Sequence, residues 1–159
     1  AEWALLRLRE ILERLDLRLN EQKSRVVNAC RESFDFLGFT FRREWNRRRK
    51  TWVTRHWPSR KSQQRLRGKV KSALNAMAPV KLDELIRRAN WIVRGWVYYF
   101  RIGNSAGVFR SLRYYVEVRL RRVLQRRAKR YGCGWKRIDR DLLYRKLGLF
   151  DDYRVCWQR

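Results

Sequence analysis

A mainly α-helical fold, with a short α+β unit ahead of a three-helix bundle and a small closing helix, is predicted by the 159-residue sequence. Three observations predict it. Apolar residues recur at three- and four-residue spacing over most of the chain after position 59. Alternation with a period of two is concentrated around residues 34–43, and Pro79 and the GNS and GCGW segments punctuate the helical patterns. A chain of this length buries about 70% of the surface its unfolded form exposes. Hydrophobic residues at 45% and aromatics at 14% supply the apolar area for such a core.

The elements follow in order. Leu5, Leu6, Leu8, Ile11, Leu12 and Leu15, with Trp3, recur at helical spacing from residue 1 to about 16, so an amphipathic helix opens the chain. It begins without a cap, as a piece of something longer would. In LRLNEQKSRVVN (17–28), Asn20 and Glu21 read as a turn and Arg25-Val26-Val27 as a short strand. In FDFLGFTFRR (34–43), Phe34 and Phe36 share one alternating phase, and Leu37, Phe39 and Phe41 the other. The phase slips at Leu37-Gly38, where a bulge is expected. Residues 1–45 therefore form one unit, a helix plus two or three strands, and 46–159 a second.

Between residues 45 and 130 there are 25 Lys plus Arg against three acids, Asp83, Glu84 and Glu117. RRRK (47–50) and TWVTRHWPS form a strand or loop leading to Pro58-Ser59, a helix start. The first helix of the bundle is expected over about 59–77, with Leu66, Val70, Ala73, Leu74 and Met77 inward and Pro79 ending it. The second runs over about 81–101. The third runs over about 106–130, with Val108, Phe109, Leu112, Tyr115, Val116, Leu120, Val123 and Leu124 on one face. After GCGW (132–135), IDRDLLYRKLGL supplies a short final helix.

Charge then directs attention to particular faces. Lys plus Arg number 41, of which 32 are Arg, against 15 acids, a net charge of +26. Planar guanidinium grips phosphate bidentately and stacks on bases, so nucleic acid is the first candidate partner. On a helical wheel of the second helix, Leu82, Leu85, Ile86, Ala89, Val93, Trp96, Val97 and Phe100 fall on one side. Arg87, Trp91, Arg94, Tyr98 and Arg101 fall opposite, within about 40° of a common line. Bases stacked on Trp91 and Tyr98, with phosphates on the arginines, would satisfy that cation–ring stripe; the alternative is that the rings pack on a neighbouring helix while the arginines stay solvated. Tyr99 lies at the edge between the two faces. On the third helix Arg110, Arg113, Arg119, Arg121, Arg122, Arg126 and Arg127 surround the apolar face. Together they can hold phosphates along more than about 20 Å of axis. On the first helix Lys61, Gln64, Arg65, Gly68 and Lys71 share the outward side.

Other chemistries find little support. Cys30, Cys133 and Cys156 are scattered without a CxxC pair and His56 is the only histidine, which counts against a zinc site and suits a reducing, cytoplasmic setting. No run of about 18 uncharged apolar residues is present, so no membrane partner is expected. A two-metal polymerase or nuclease needs clustered carboxylates. The acids here are isolated or beside arginines, with Asp151-Asp152 in a C-terminal turn, so no catalytic residue is expected in the chain.

Several segments together resemble one family, the reverse transcriptase/maturase proteins encoded by group II introns. LRLNEQKSRVVN followed by FDFLGFTFRR is similar to the last palm segments of those reverse transcriptases, and PSRKSQQRLRGKV to the first helix of their thumb. ANWIVRGWVYYFRIGNS, VFRSLRYYVEVRLRRVLQRR, WKR and LYRKLGL are similar to their maturase-specific region, domain X. The resemblance covers nearly the whole chain. It implies that 1–45 ends a palm and that 46–159 is a thumb and domain X that binds group II intron RNA, assists splicing and positions an RNA template and DNA primer. The upstream palm and fingers of the same polypeptide, with catalytic aspartates and Mg2+, would perform any polymerisation. Lys23, in LNEQK, matches the family's palm lysine near the incoming nucleotide, and a simple turn lysine is the alternative. Trp91 departs from the family pattern, in which proline often stands one residue after Asn90 and starts a new helix. Competing functions are a structural RNA-binding protein of ribosomal type, or a segment whose parent acts chiefly as an active reverse transcriptase.

Overall fold

Residues 2–20, 24, 26–75 and 77–156 are described by the structure, a computed structural model. The opening helix α1 (Glu2–Glu13) stops where Asp16 takes a left-handed φ of 54°. Its apolar side is exposed among the described residues, with Trp3, Leu6, Ile11 and Leu15 all open to solvent. The strand expected at 25–27 is not formed at Val26 or Val27, and Arg25 lies outside the described residues.

The sheet comes instead from β1 (Phe34–Phe36), β2 (Phe39–Asn46) and β3 (Thr51–Pro58), antiparallel in the order β1-β2-β3. The phase slip at Leu37-Gly38 is not a bulge. Phe36 pairs with Phe39, and Leu37 and Gly38 have φ of 48° and 81°, so these two residues are the whole connection. Positive φ at both central positions gives the turn whose twist matches that of paired strands. β2 and β3 pair from Phe39 opposite Pro58 to Asn46 opposite Thr51, and RRRK forms the tip. The Asn46 side-chain oxygen accepts from the amides of Arg48 (3.0 Å) and Arg49 (3.2 Å), which fixes the turn.

Ser59 caps α2 (Arg60–Ala73), its hydroxyl accepting from the Ser62 amide at 3.2 Å. The helix is shorter than its apolar spacing suggests. Leu74 is the C-cap, and Met77, expected inward, is 84% exposed because the helix has ended before it. α3 (Leu82–Phe100) runs unbroken through Asn90 and Trp91. Asn90 is a clamp: its amide donates to the Gly148 carbonyl (2.7 Å) and its oxygen accepts from the Phe150 amide (2.9 Å), fastening the C-terminal segment to the helix. α4 (Ala106–Arg127) follows, and a single π-helical turn, α5 (Leu142–Lys146), closes the fold.

One core joins these pieces. Leu66, Val70 and Leu74 of α2 meet Leu85, Ile86, Ala89, Val93, Val97 and Phe100 of α3 and Phe109, Leu112, Val116, Leu120 and Val123 of α4. Trp96 is half-buried, its indole donating to the Ser62 hydroxyl at 3.0 Å while its ring packs on Phe100 and Phe109. Tyr99 belongs to the fold as well: its hydroxyl donates to the Leu37 carbonyl at 2.9 Å and its ring touches Phe39.

The segment after α4 folds back over that helix's polar side and encloses Glu117, which is 1% exposed. Around its carboxylate stand the Tyr144 hydroxyl (2.7 Å) and the guanidinium groups of Arg140 (3.2 Å), Arg121 (3.3 Å) and Arg113 (3.4 Å). Arg121 also donates to the Ile138 carbonyl at 2.8 Å and stacks on the Trp135 ring at 4.3 Å. Burial pushes the Glu117 pKa upward, but the Tyr144 hydrogen bond and the charges of Arg140 and Arg121 outweigh it, and the net shift is downward. Burial and the hydrogen bond to Glu117 push Tyr144 up to about 12. Gly134, at φ 62°, is needed for this return, since a Cβ there would lie 1.7 Å from the Gln125 side-chain nitrogen.

Glu117→Gln leaves Arg121 buried without a counter-charge and is expected to cost about 3–5 kcal/mol, read from the shift in urea midpoint. Because the folded Glu117 pKa is lowered, its contribution is present above the unfolded carboxylate value and is lost as pH falls through the folded one. Wild type should therefore lose more stability than Glu117→Gln on acidification below about pH 4.3. On the alkaline side, Tyr144, raised from 10.0 to about 12, makes stability fall across that interval, and Tyr144→Phe should remove this component of the decline. Trp96→Ala should cost about 3–5 kcal/mol by the same urea measurement.

Candidate nucleic-acid interface

The cations of α2, α3 and α4 divide into those that hold the fold together and those that face outward. Arg113 and Arg121 belong to the Glu117 cluster, and Arg121, expected on a phosphate-gripping face, is 2% exposed because residues 134–144 cover that side of α4. Arg127 donates to the carbonyls of Ala78 (3.2 Å) and Val80 (2.8 Å), fixing the link between α2 and α3. Arg119 reaches the carbonyls of Lys71 and Leu74 at the end of α2, where the helix dipole favours a cation. These four guanidinium groups brace the fold, Arg121 from inside it and Arg127 from its surface.

Arg110, Arg122 and Arg126 remain exposed, and two of them acquire neighbours that a helical wheel does not show. Lys129, at φ 53°, ends the helical turn, and the Arg130 amide bonds back to the Gln125 carbonyl at 2.8 Å. The result is a cleft of about 480 Å³ in which Arg122 and Arg126 meet Lys129, Arg130 and the fully exposed Tyr131. RRAKRYGCG carried this signal in the sequence, as four cations leading into a tyrosine between helix end and glycine.

The stripe expected on α3 lies along the helix's outer side but serves two neighbourhoods. Toward the C-terminal segment, Arg101 stacks on the Tyr98 ring at 4.1 Å and pairs with Asp152 at 3.0 Å, while Tyr98 and Arg94 both approach the Phe150 ring. Arg154 and Arg101 hold the Asp152 carboxyl below its usual range, so this pair stays ionised. Tyr98 is 48% exposed, and Arg94 is open to solvent. Toward α2, Arg87 and Trp91 line an open groove together with Arg65 and Gly68 of that helix. Lys61 and Lys71 are exposed elsewhere on α2. Lys23 lies outside the described residues.

The hairpin tip is a further basic feature. Trp45 and Trp52, directly paired across β2 and β3, pack edge to face at 5.8 Å, with Arg43 over Trp52 at 5.9 Å, and both indoles are about half exposed beside the RRRK turn.

The acids are placed differently. Among the described residues no group of His, Cys, Asp and Glu is positioned to hold a metal ion. Of the adjacent pair Asp151–Asp152, Asp152 is taken up by Arg101 and Arg154, so the donor set does not fit a divalent cation such as Mg2+. Also among the described residues, no helix is long and apolar enough to cross a membrane.

No curated protein matches the chain. The family model of the group II intron maturase-specific domain matches residues 63–142, from the first turn of α2 to the start of α5 and about half of the chain. That span contains α3, α4, the Arg122–Tyr131 cleft and, of the Glu117 cluster, Glu117 with Arg113, Arg121 and Arg140. The chain therefore belongs to the group II intron maturase-specific domain family, and its function lies in group II intron splicing.

Proposed function

We propose that the protein binds structured group II intron RNA through the outward cations of α2, α3 and α4, and that this binding assists folding of the intron for splicing. One observation carries the reading. The acids of residues 45–130 are nearly used up inside the protein: Glu117 is enclosed by its own cluster and Glu84 is paired with Arg87 and Arg88, whereas the Arg122–Tyr131 cleft holds four cations and no acid. A polyanion relieves that unbalanced charge, and releasing its counterions drives association. Tyr131 adds an exposed ring on which an unpaired base can stack.

In the parent polypeptide the same surface would also help position the RNA template and DNA primer beside an upstream polymerase palm. On this reading polymerisation belongs to that palm, and the described residues contribute cations for the nucleic acid rather than a group of acids placed to hold a metal ion.

The test is binding to a structured intron RNA, and to unrelated duplex RNA and DNA, across a salt series. Wild type is expected to prefer the intron RNA. Arg122→Ala combined with Arg126→Ala should weaken binding and make the log–log salt slope shallower by about 1.5, two phosphate contacts at roughly 0.7–0.9 each, with an unchanged urea midpoint. Equal affinity for all three nucleic acids, or an unchanged slope in the double variant, would sink the reading.

A further inference from the structure

The groove between α2 and α3 carries an inference that rests on the RNA-binding reading and goes beyond it. The groove is open, has a volume of about 930 Å³, and has a largely apolar floor that includes Ala73 and Ile92. Trp91 stands in its wall with 79% of its surface exposed, an arrangement that leaves a large ring without the benefit of burial. Cations border it on both helices: Arg65 and Lys69, one turn apart on α2, and Arg87 and Arg88 on α3. Glu84 neutralises part of the α3 rim through its pairs with Arg87 and Arg88. Among the described residues no acid pairs with Arg65 or Lys69.

Gly68 makes the space usable. Glycine inside a helix is destabilising relative to alanine, and nothing within the fold requires it here, since a Cβ at Gly68 would meet no atom within 4 Å and its φ is not in the left-handed region. The missing side chain lies on the groove, across from the exposed indole.

We propose that this groove is a binding site for one unpaired, extrahelical base of the bound RNA, stacked on Trp91, with the flanking phosphates on Arg65 and Lys69. An aromatic ring with an open face beside unpaired cations suits a planar base on an anionic backbone, because stacking and charge are satisfied by one ligand. A fully paired duplex has no base free to enter. The site therefore reads a structural feature of the RNA, a bulged or flipped nucleotide, and the Arg122–Tyr131 cleft supplies affinity independent of it.

The experiment compares two RNA hairpins that differ only by one extrahelical adenosine. Wild type should bind the bulged hairpin roughly tenfold more tightly than the paired one, the scale of one base–aromatic stack. Trp91→Ala should abolish that preference and retain the affinity for the paired hairpin. Gly68→Gln, which fills the groove from the opposite wall, should abolish it too while raising the melting temperature; Gly68→Ala should raise the melting temperature and keep the preference. Equal wild-type affinity for the two hairpins, or an equal loss for both in Trp91→Ala, would overturn the base site and leave RNA binding intact. Failure of wild type to bind either hairpin would overturn the RNA-binding reading and this one with it. Tighter binding of a glutamate-rich helical peptide than of the bulged hairpin, lost in Gly68→Gln, would assign the groove to a protein partner.

Discussion

A single carboxylate sets the terms for this structure. Glu117 is almost completely buried in a chain of net charge +26, and its two oxygens collect three guanidinium groups and one phenol. A lone buried charge would be untenable, and a lone buried arginine equally so. Together they tie α4, the 134–140 loop and α5 into one unit, because Arg113 and Arg121 come from α4 itself, Arg140 from the segment before α5 and Tyr144 from α5. The aromatic rings complete the arrangement: Trp135, stacked on the Tyr114 ring, covers the Arg121 guanidinium, and Tyr144 lies under Arg113. With so few acids available, the placement of one of them decides which arginines are architecture and which are surface.

Arginine otherwise performs the work that backbone caps and polar side chains do in less basic proteins. Arg119 and Arg127 occupy carbonyls left open where α2 ends and the chain crosses to α3. Arg67 bridges α2 and α4, donating to Ser111 and stacking on Tyr115, whose hydroxyl returns a bond to the Arg67 carbonyl. A planar group with five donors in a fixed fork can serve several acceptors while stacking on a ring, where lysine offers three donors on one atom and no planar face. The preference of this sequence for arginine is therefore partly structural, and a phosphate-contact estimate drawn from total charge would be too high.

Periodicity made the helical framework legible. The start of α2 at Ser59, the inward faces of α3 and α4, and the continuity of α3 follow from local spacing and capping chemistry, which act within a few residues. The limits of that reasoning are equally physical. A wheel distinguishes faces but does not say what covers them, so Arg113 and Arg121 read as surface until the 134–144 segment is laid over α4. Alternation marked β1 and β2 and left β3 as a strand or loop, and it did not show that Leu37 would accept positive φ, which turned an expected bulge into a hairpin. Of the interface, the α3 stripe was visible in sequence as a line of residues. Its division between a C-terminal cluster at Tyr98 and an α2-facing groove at Trp91 depends on packing between distant segments. Tyr131 escaped notice because its significance comes from the turn at Lys129 and not from any helical register.

The small turn between α3 and α4 has a mechanical consequence. Gly103 lies so close to β3 that a Cβ would fall 2.3 Å from the His56 ring, and Asn104 holds the His56 backbone from both sides, its amide on the carbonyl at 2.8 Å and its side chain on the amide at 3.4 Å. Five residue pairs of the β2–β3 ribbon extend beyond His56 to the RRRK tip, a reach of about 16 Å. A ribbon held at the His56 clamp, and tied once more where the Arg43 amide donates to the Ala29 carbonyl at 2.9 Å, has the geometry of a cantilever. Load applied at its cationic tip is carried as torque to the His56 clamp, and from there into the helix junction that orients α3 and α4 relative to the sheet.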